Sequence, residues 1–102
     1  MSAVKAVVLY PQPTDKETFE RRYAEEHVPL CQEHLPGMSD LKVCKVLGSP
    51  AGKPPYYSMV ELHYPSMEAL QADFGGRGGA KVGKHAMEIS TGGAPTILIT
   101  SA

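Results

Sequence analysis

The middle of the chain constrains the fold most. Two runs with strand-like alternation, LKVCKVL at 41–47 and YYSMVELHY at 56–64, are joined by the breaker-rich residues 48–55 and read as an antiparallel hairpin with a long connection. Each side of the hairpin carries a helix and then a strand. Upstream, AVKAVVLY (3–10) is rich in β-formers and stops at Pro11-Gln12-Pro13, where missing donors and fixed φ end a ladder. Thr14-Asp15-Lys16-Glu17 follows with the capping-box form that starts a helix. Downstream, Ser66 caps a helix carrying Met67, Leu70 and Phe74, the glycine-rich 75–79 interrupts, a short helical segment spans Lys81 to Glu88, and Thr96 to Thr100 is the last strand. The order β-α-β-β-α-β predicts an α+β, ferredoxin-like protomer: a four-stranded antiparallel sheet with helices on one face.

The outer strands say more. Val4, Ala6, Val8 and Tyr10 alternate with Val7 and Leu9, and Ile97 and Ile99 with Leu98, so both faces of these strands are apolar. The helices cover only one face, and a broad apolar sheet left in water calls for a second copy; the expected partner is therefore a homodimer. At 102 residues the chain is one domain, able to bury roughly two-thirds of its unfolded surface. A formal charge of -1 removes any argument for nucleic acid or anionic membrane as a partner, and no apolar run has the length of a membrane span or a signal core, which predicts a cytoplasmic protein. Cys31 and Cys44 lack metal-type pairing and read as free thiols.

FERRYAEEHVPL (19–30) carries the candidate chemistry. Phe19, Tyr23 and His27 recur every four residues and share one arc of an amphipathic helix, while Arg21, Arg22, Glu25 and Glu26 lie outside it. Pro29 predicts a kink or break just after His27, with a further turn to Leu35 before Pro36-Gly37 closes the unit. Packing alone explains Phe19. Tyr23 is a buried phenol that needs a hydrogen-bond partner, whether protein or ligand. His27 is either an architectural histidine or an acid/base near neutral pH, favoured as imidazolium by the helix end expected there. Tyr10, at the end of the first strand, joins the candidate ligand contacts. On the third strand Tyr57, Glu61 and His63 share one face and Tyr56, Ser58, Val60, Leu62 and Tyr64 the other; either face can line a cavity.

Other signals fail on context. GGAKVGKH (78–85) has the G-x-x-x-x-G-K part of a phosphate loop, but His85 stands where Ser or Thr would ligate Mg²⁺ and no strand leads into it. The histidines form no H-x-x-x-H pair, so no metal site is expected, and no serine sits in a nucleophile-elbow context.

YPQPTDKETFERRYAEEHVPL (10–30), LPG at 35–37, PPYY at 54–57 leading to Glu61-Leu62, and SMEALQA at 66–72 together resemble the EthD family of the dimeric α+β barrel superfamily over nearly the whole chain. The resemblance implies two sheets paired face to face, a cleft between sheet and helices for a small hydrophobic or aromatic ligand, and no cofactor. It also implies a place in bacterial catabolism related to ether degradation. It makes His27 and Tyr23 the candidate catalytic residues, with Phe19, Tyr10, Tyr57, Glu61 and His63 as candidate substrate contacts. Proton transfer, isomerisation or cofactor-free oxygenation is the expected chemistry; a noncatalytic accessory or carrier protein for an oxygenase pathway is the alternative.

Overall fold

The computed structural model describes residues 2–102. Its strands are β1 (Val4–Pro11), β2 (Asp40–Lys45), β3 (Tyr56–Tyr64) and β4 (Thr96–Ser101), and its helices α1 (Lys16–Arg22), α2 (Val28–His34), α3 (Met67–Phe74) and α4 (Arg77–Ile89). The sheet runs β2-β3-β1-β4 with every neighbour antiparallel, the ferredoxin-like arrangement. It is open, with β2 and β4 at its edges.

Alternation decides the layers. Val4, Ala6, Val8 and Tyr10 of β1 pair with Tyr64, Leu62, Val60 and Ser58 of β3, and all eight are buried beneath the helices with Phe19, Tyr23, Cys31, Leu70, Val82 and Ile89. Lys5, Val7 and Leu9 face the other way beside His63, Glu61 and Met59, and Leu98 of β4 pairs with Val7 on that same outer face. Edge strand β4 leaves Ile97, Leu98 and Ile99 about half exposed.

Three expectations are corrected. The first helix is capped not by Thr14 but by Asp15, whose carboxylate accepts from the Thr18 amide (3.1 Å) and hydroxyl (3.0 Å). Of the kink or break expected just after His27, the break does not occur. Helical dihedrals continue from Lys16 through His34, and a π-helical turn, Tyr23–His27, absorbs the proline: the Val28 amide donates to the Tyr23 carbonyl five residues back, slipping the register just ahead of the residue that has no N–H. Finally, α4 is longer than residues 81–88, because Gly78 and Gly79 belong to its first turn. A Cβ on Gly78 would meet the His34 carbonyl at 2.5 Å, and one on Gly79 would collide with the Asp73 carbonyl, so α4 packs against α2 and α3 only with glycine there. Residues 78–85 are therefore helical rather than a phosphate-cradling loop.

Candidate functional site

The stripe is buried as its spacing requires. Phe19, Tyr23 and His27 are each less than a tenth exposed, with Phe19 and Tyr23 stacked at 5.9 Å and Tyr23 and His27 tilted by 40° at 5.3 Å between ring centroids. Tyr10 packs edge-on against Phe19 (5.2 Å) and Tyr23 (5.9 Å), and Tyr57 edge-on against Phe19 (5.8 Å). These four rings form one aromatic layer with a cavity on each side.

One cavity, about 100 Å³, lies between the sheet and α4. His27 and Tyr10 bring the side-chain N and O atoms on its wall; Val8, Leu35, Leu62, Phe74, Val82 and Ile97 make it apolar. Gly83, in mid-helix, supplies part of the lining, and a Cβ there would meet nothing within 4 Å. Glycine inside a helix costs roughly 1 kcal/mol relative to alanine. No packing contact requires it here; what it leaves is room.

The other cavity, about 280 Å³, lies between α1 and strands β2 and β3, against Phe19, Tyr23, Val28, Val43 and Tyr57. At its rim Glu20 is engaged twice, by Lys45 (2.6 Å) and by the Tyr57 hydroxyl (2.7 Å), and these bonds hold its carboxyl below the usual carboxylate range.

His27 is not isolated. Its Nδ1 lies 2.9 Å from Nδ1 of His85 on α4, with the rings near-parallel at 12°, and Nε2 of His85 lies 2.9 Å from Glu26 Oε1. Glu26 also takes Arg22 (3.0 Å); Arg22 first and His85 second hold its carboxyl below the usual range. Burial, and then His85, lower the His27 pKa to about 4. This reverses the expected preference for imidazolium: the helix continues past His27, so no helix end lies there to favour the cation, and at neutral pH the ring is uncharged. No fully enclosed side-chain nitrogen or oxygen among the described residues lacks a partner, and Nε2 of His27 has no protein partner among them, so that nitrogen is not fully enclosed; His27 itself is part of the cavity lining.

The Tyr10 and Tyr23 hydroxyls likewise make no hydrogen bond among the described residues, and burial raises the pKa of both, so each is a neutral donor. Tyr10 borders the cavity of His27, whereas Tyr23 borders the larger one. Cys31 is buried and its thiol is pushed up to about 11, which makes it inert.

Strand β3 splits the remaining candidates. Tyr10 pairs with Ser58 and Pro11 with Tyr56, so Tyr57 is the extra residue of a β-bulge. The bulge turns Tyr57 to the helix side, against Phe19, and away from the face it was expected to share with Glu61 and His63. Glu61 and His63 stay on the outer face, 2.8 Å apart with Lys5 beside Glu61 (3.5 Å); the structure does not bring them to either cavity. Sequence reasoning missed His85 and Glu26, since the helical period that exposes Glu26 carries no sign of a partner 59 residues away. Among the described residues no group of three or more His, Cys, Asp or Glu is arranged to hold a metal ion.

The sequence profile of the EthD domain matches residues 11–89. The chain belongs to the EthD family. An EthD family protein from Bacillus halodurans is 37% identical, with each chain covered over 98% and a TM-score of 0.87. A dimeric ferredoxin-like protein of unknown function from Jannaschia shares this EthD chain's fold at 12% identity and TM-score 0.71, covering 98% of this chain and 99% of its own. The cofactor-independent oxygenase SnoaB from Streptomyces nogalater does so at 12% and 0.69, covering 100% and 94%. No curated protein matches the chain. Among the described residues no helix is long and apolar enough to cross a membrane.

Proposed function

We propose that this EthD chain moves a proton on a small, largely apolar carbonyl compound held beside His27. The observation that carries the reading is the unpartnered Nε2 of a buried, neutral imidazole that lines a cavity whose other polar side chain is Tyr10. A cavity of about 100 Å³ has room for a small ring, and neither wall group is charged to hold a carboxylate or phosphate. Nε2 takes a proton from the carbon beside the carbonyl, the C–H electron pair forms the C=C bond as the carbonyl π pair moves onto oxygen, and the Tyr10 hydroxyl donates to the resulting enolate. The donor role expected of Tyr23 thus goes to Tyr10; Tyr23 packs against the His27 ring at a tilt of 40°. Return of the proton to a different atom completes an isomerisation. The same enolate is the species that a cofactor-free oxygenation would start from, and the likeness to SnoaB keeps that chemistry as a variant of the reading.

We also infer a homodimer formed through the outer face, where Val7, Leu9, Met59 and Leu98 gather, as the dimeric state of the Jannaschia neighbour supports. Sedimentation at micromolar concentration is expected to give twice the chain mass; a clean monomer removes the inference.

The catalytic reading is tested by α-proton exchange of cyclopentanone in D₂O, followed by NMR. The protein is expected to accelerate exchange, and His27→Ala to lose about 100-fold of it or more. Equal rates for the two would overturn the reading.

The larger cavity favours a second reading, a carrier for a hydrophobic pathway intermediate such as those of ether catabolism. Its acid, Glu20, is already tied to Lys45 and Tyr57, so what it offers is an aromatic surface without a free base. A compound that co-purifies and is returned unchanged after incubation would favour this reading over catalysis.

A further inference from the structure

Adjacent helix residues point about 100° apart, and His85 sits in the angle between Glu26 and His27, bonded to both. Resting on the catalytic reading above, we infer that His85 and Glu26 are the proton exit of the site, a line from buried His27 to solvent that also dictates which nitrogen of His27 is the base.

The assignment follows from what each group can do. An ionised carboxylate only accepts, so Nε2 of His85 carries a proton toward Glu26. With both imidazoles neutral, Nδ1 of His85 is then a lone pair, and the short 2.9 Å approach requires the proton on Nδ1 of His27. Nε2 of His27 is left bare on the cavity, where the base must be.

When Nε2 gains the substrate proton, the Nδ1–H of His27 passes to Nδ1 of His85, and the Nε2–H of His85 passes to Glu26, whose side chain is 48% exposed and exchanges with water. One C–H bond breaks and one N–H bond forms at Nε2. His27 ends neutral as its other tautomer, and the proton reaches solvent without opening the cavity. The same line runs backwards when the enolate is reprotonated. His85 and Glu26 touch no substrate; they are positioning residues, and Arg22, bonded to the same Oε1 of Glu26 that faces His85, holds its carboxyl below the usual range.

Long-range ¹H–¹⁵N spectra of the imidazoles in uniformly ¹⁵N-labelled protein at pH 7 test this without any ligand. The expected pattern is Nε2–H for His85 and Nδ1–H for His27, with His85→Phe converting His27 to Nε2–H and His63→Phe leaving it alone. An Nε2–H His27 in the parent protein, or a tautomer that ignores His85→Phe, overturns the relay. Because His85→Phe alters a helix contact, Glu26→Gln serves as the milder variant: it is expected to slow cyclopentanone exchange about tenfold or more with cyclopentanone Kd unchanged. An unchanged exchange rate overturns the relay, whereas absence of exchange in the parent protein beside the expected tautomers sinks the catalytic reading and the proton exit with it, and leaves only the tautomer assignment of His27 and His85 standing.

Discussion

Among the described residues, two histidine–carboxylate pairs share nearly the same close geometry. His63 meets Glu61 at 2.8 Å on the outer face of the sheet, and His85 meets Glu26 at 2.9 Å on the helix side. What differs is the neighbour. Glu61 turns to Lys5, and its carboxyl is held low by His63 first and by the Lys5 charge after burial has opposed the shift. His85 turns instead to a buried imidazole that borders a cavity. A charge pair acquires chemical meaning from what it is connected to, and distance alone does not reveal it.

The largest expected effects separate the two pairs by activity. His27→Ala is expected to lose about 100-fold or more of cyclopentanone exchange while His63→Ala stays within twofold of the parent, measured on the same samples. Equal losses would erase the distinction.

Acid stability comes next. The His27 pKa is near 4 folded, against about 6.5 unfolded. Between these values the unfolded chain holds the extra proton, so stability rises with pH: this contribution is complete above about pH 6.5 and lost as pH falls toward 4. The loss is on the order of 3 kcal/mol. Urea titrations at pH 7 and pH 4.5 are expected to show a smaller difference for His27→Gln than for the parent or His63→Gln. An identical pH dependence in all three would mean that His27 titrates normally.

Gly83 sharpens the cavity side. Gly83→Leu is expected to abolish cyclopentanone binding by filling the space, while Gly83→Ala raises thermal stability by about 0.4–1 kcal/mol, since the helix gains a better former and no clash. Calorimetry checks both, and a destabilised Gly83→Ala would show that this glycine is needed for packing after all. The smallest effect belongs to the outer pair: Glu61→Gln is expected to change stability by no more than about 1 kcal/mol, read from thermal melts, as for a partly exposed ion pair on the outer face of the sheet.

Much of the fold was legible. The alternating run 56–64 became β3 with the same bounds, and the four-residue stripe became a buried face running from α1 into the π-helical turn, because period and burial are local properties of the chain. The site was legible only in part. Phe19, Tyr23 and His27 lie against one another as expected, yet Tyr23 and His27 face different cavities. The bulge at Tyr57 is a one-residue slip in pairing, which side-chain alternation cannot register, and the π-helical turn is a response of the backbone to Pro29 that a strict 100° period does not anticipate. His85 was read only as the wrong residue for a phosphate loop. Its pairing with His27 exists because glycines let α4 approach α2, a long-range event with no periodic signature.

The central claim is that His27 is a buried, neutral base facing a ligand cavity. It is tested most directly by following the His27 ring resonances against pH, with and without cyclopentanone. The account predicts a midpoint near 4 and resonances that shift when cyclopentanone is added. A midpoint near 6.5, indifferent to the ketone, would contradict it and leave His27 an ordinary structural histidine.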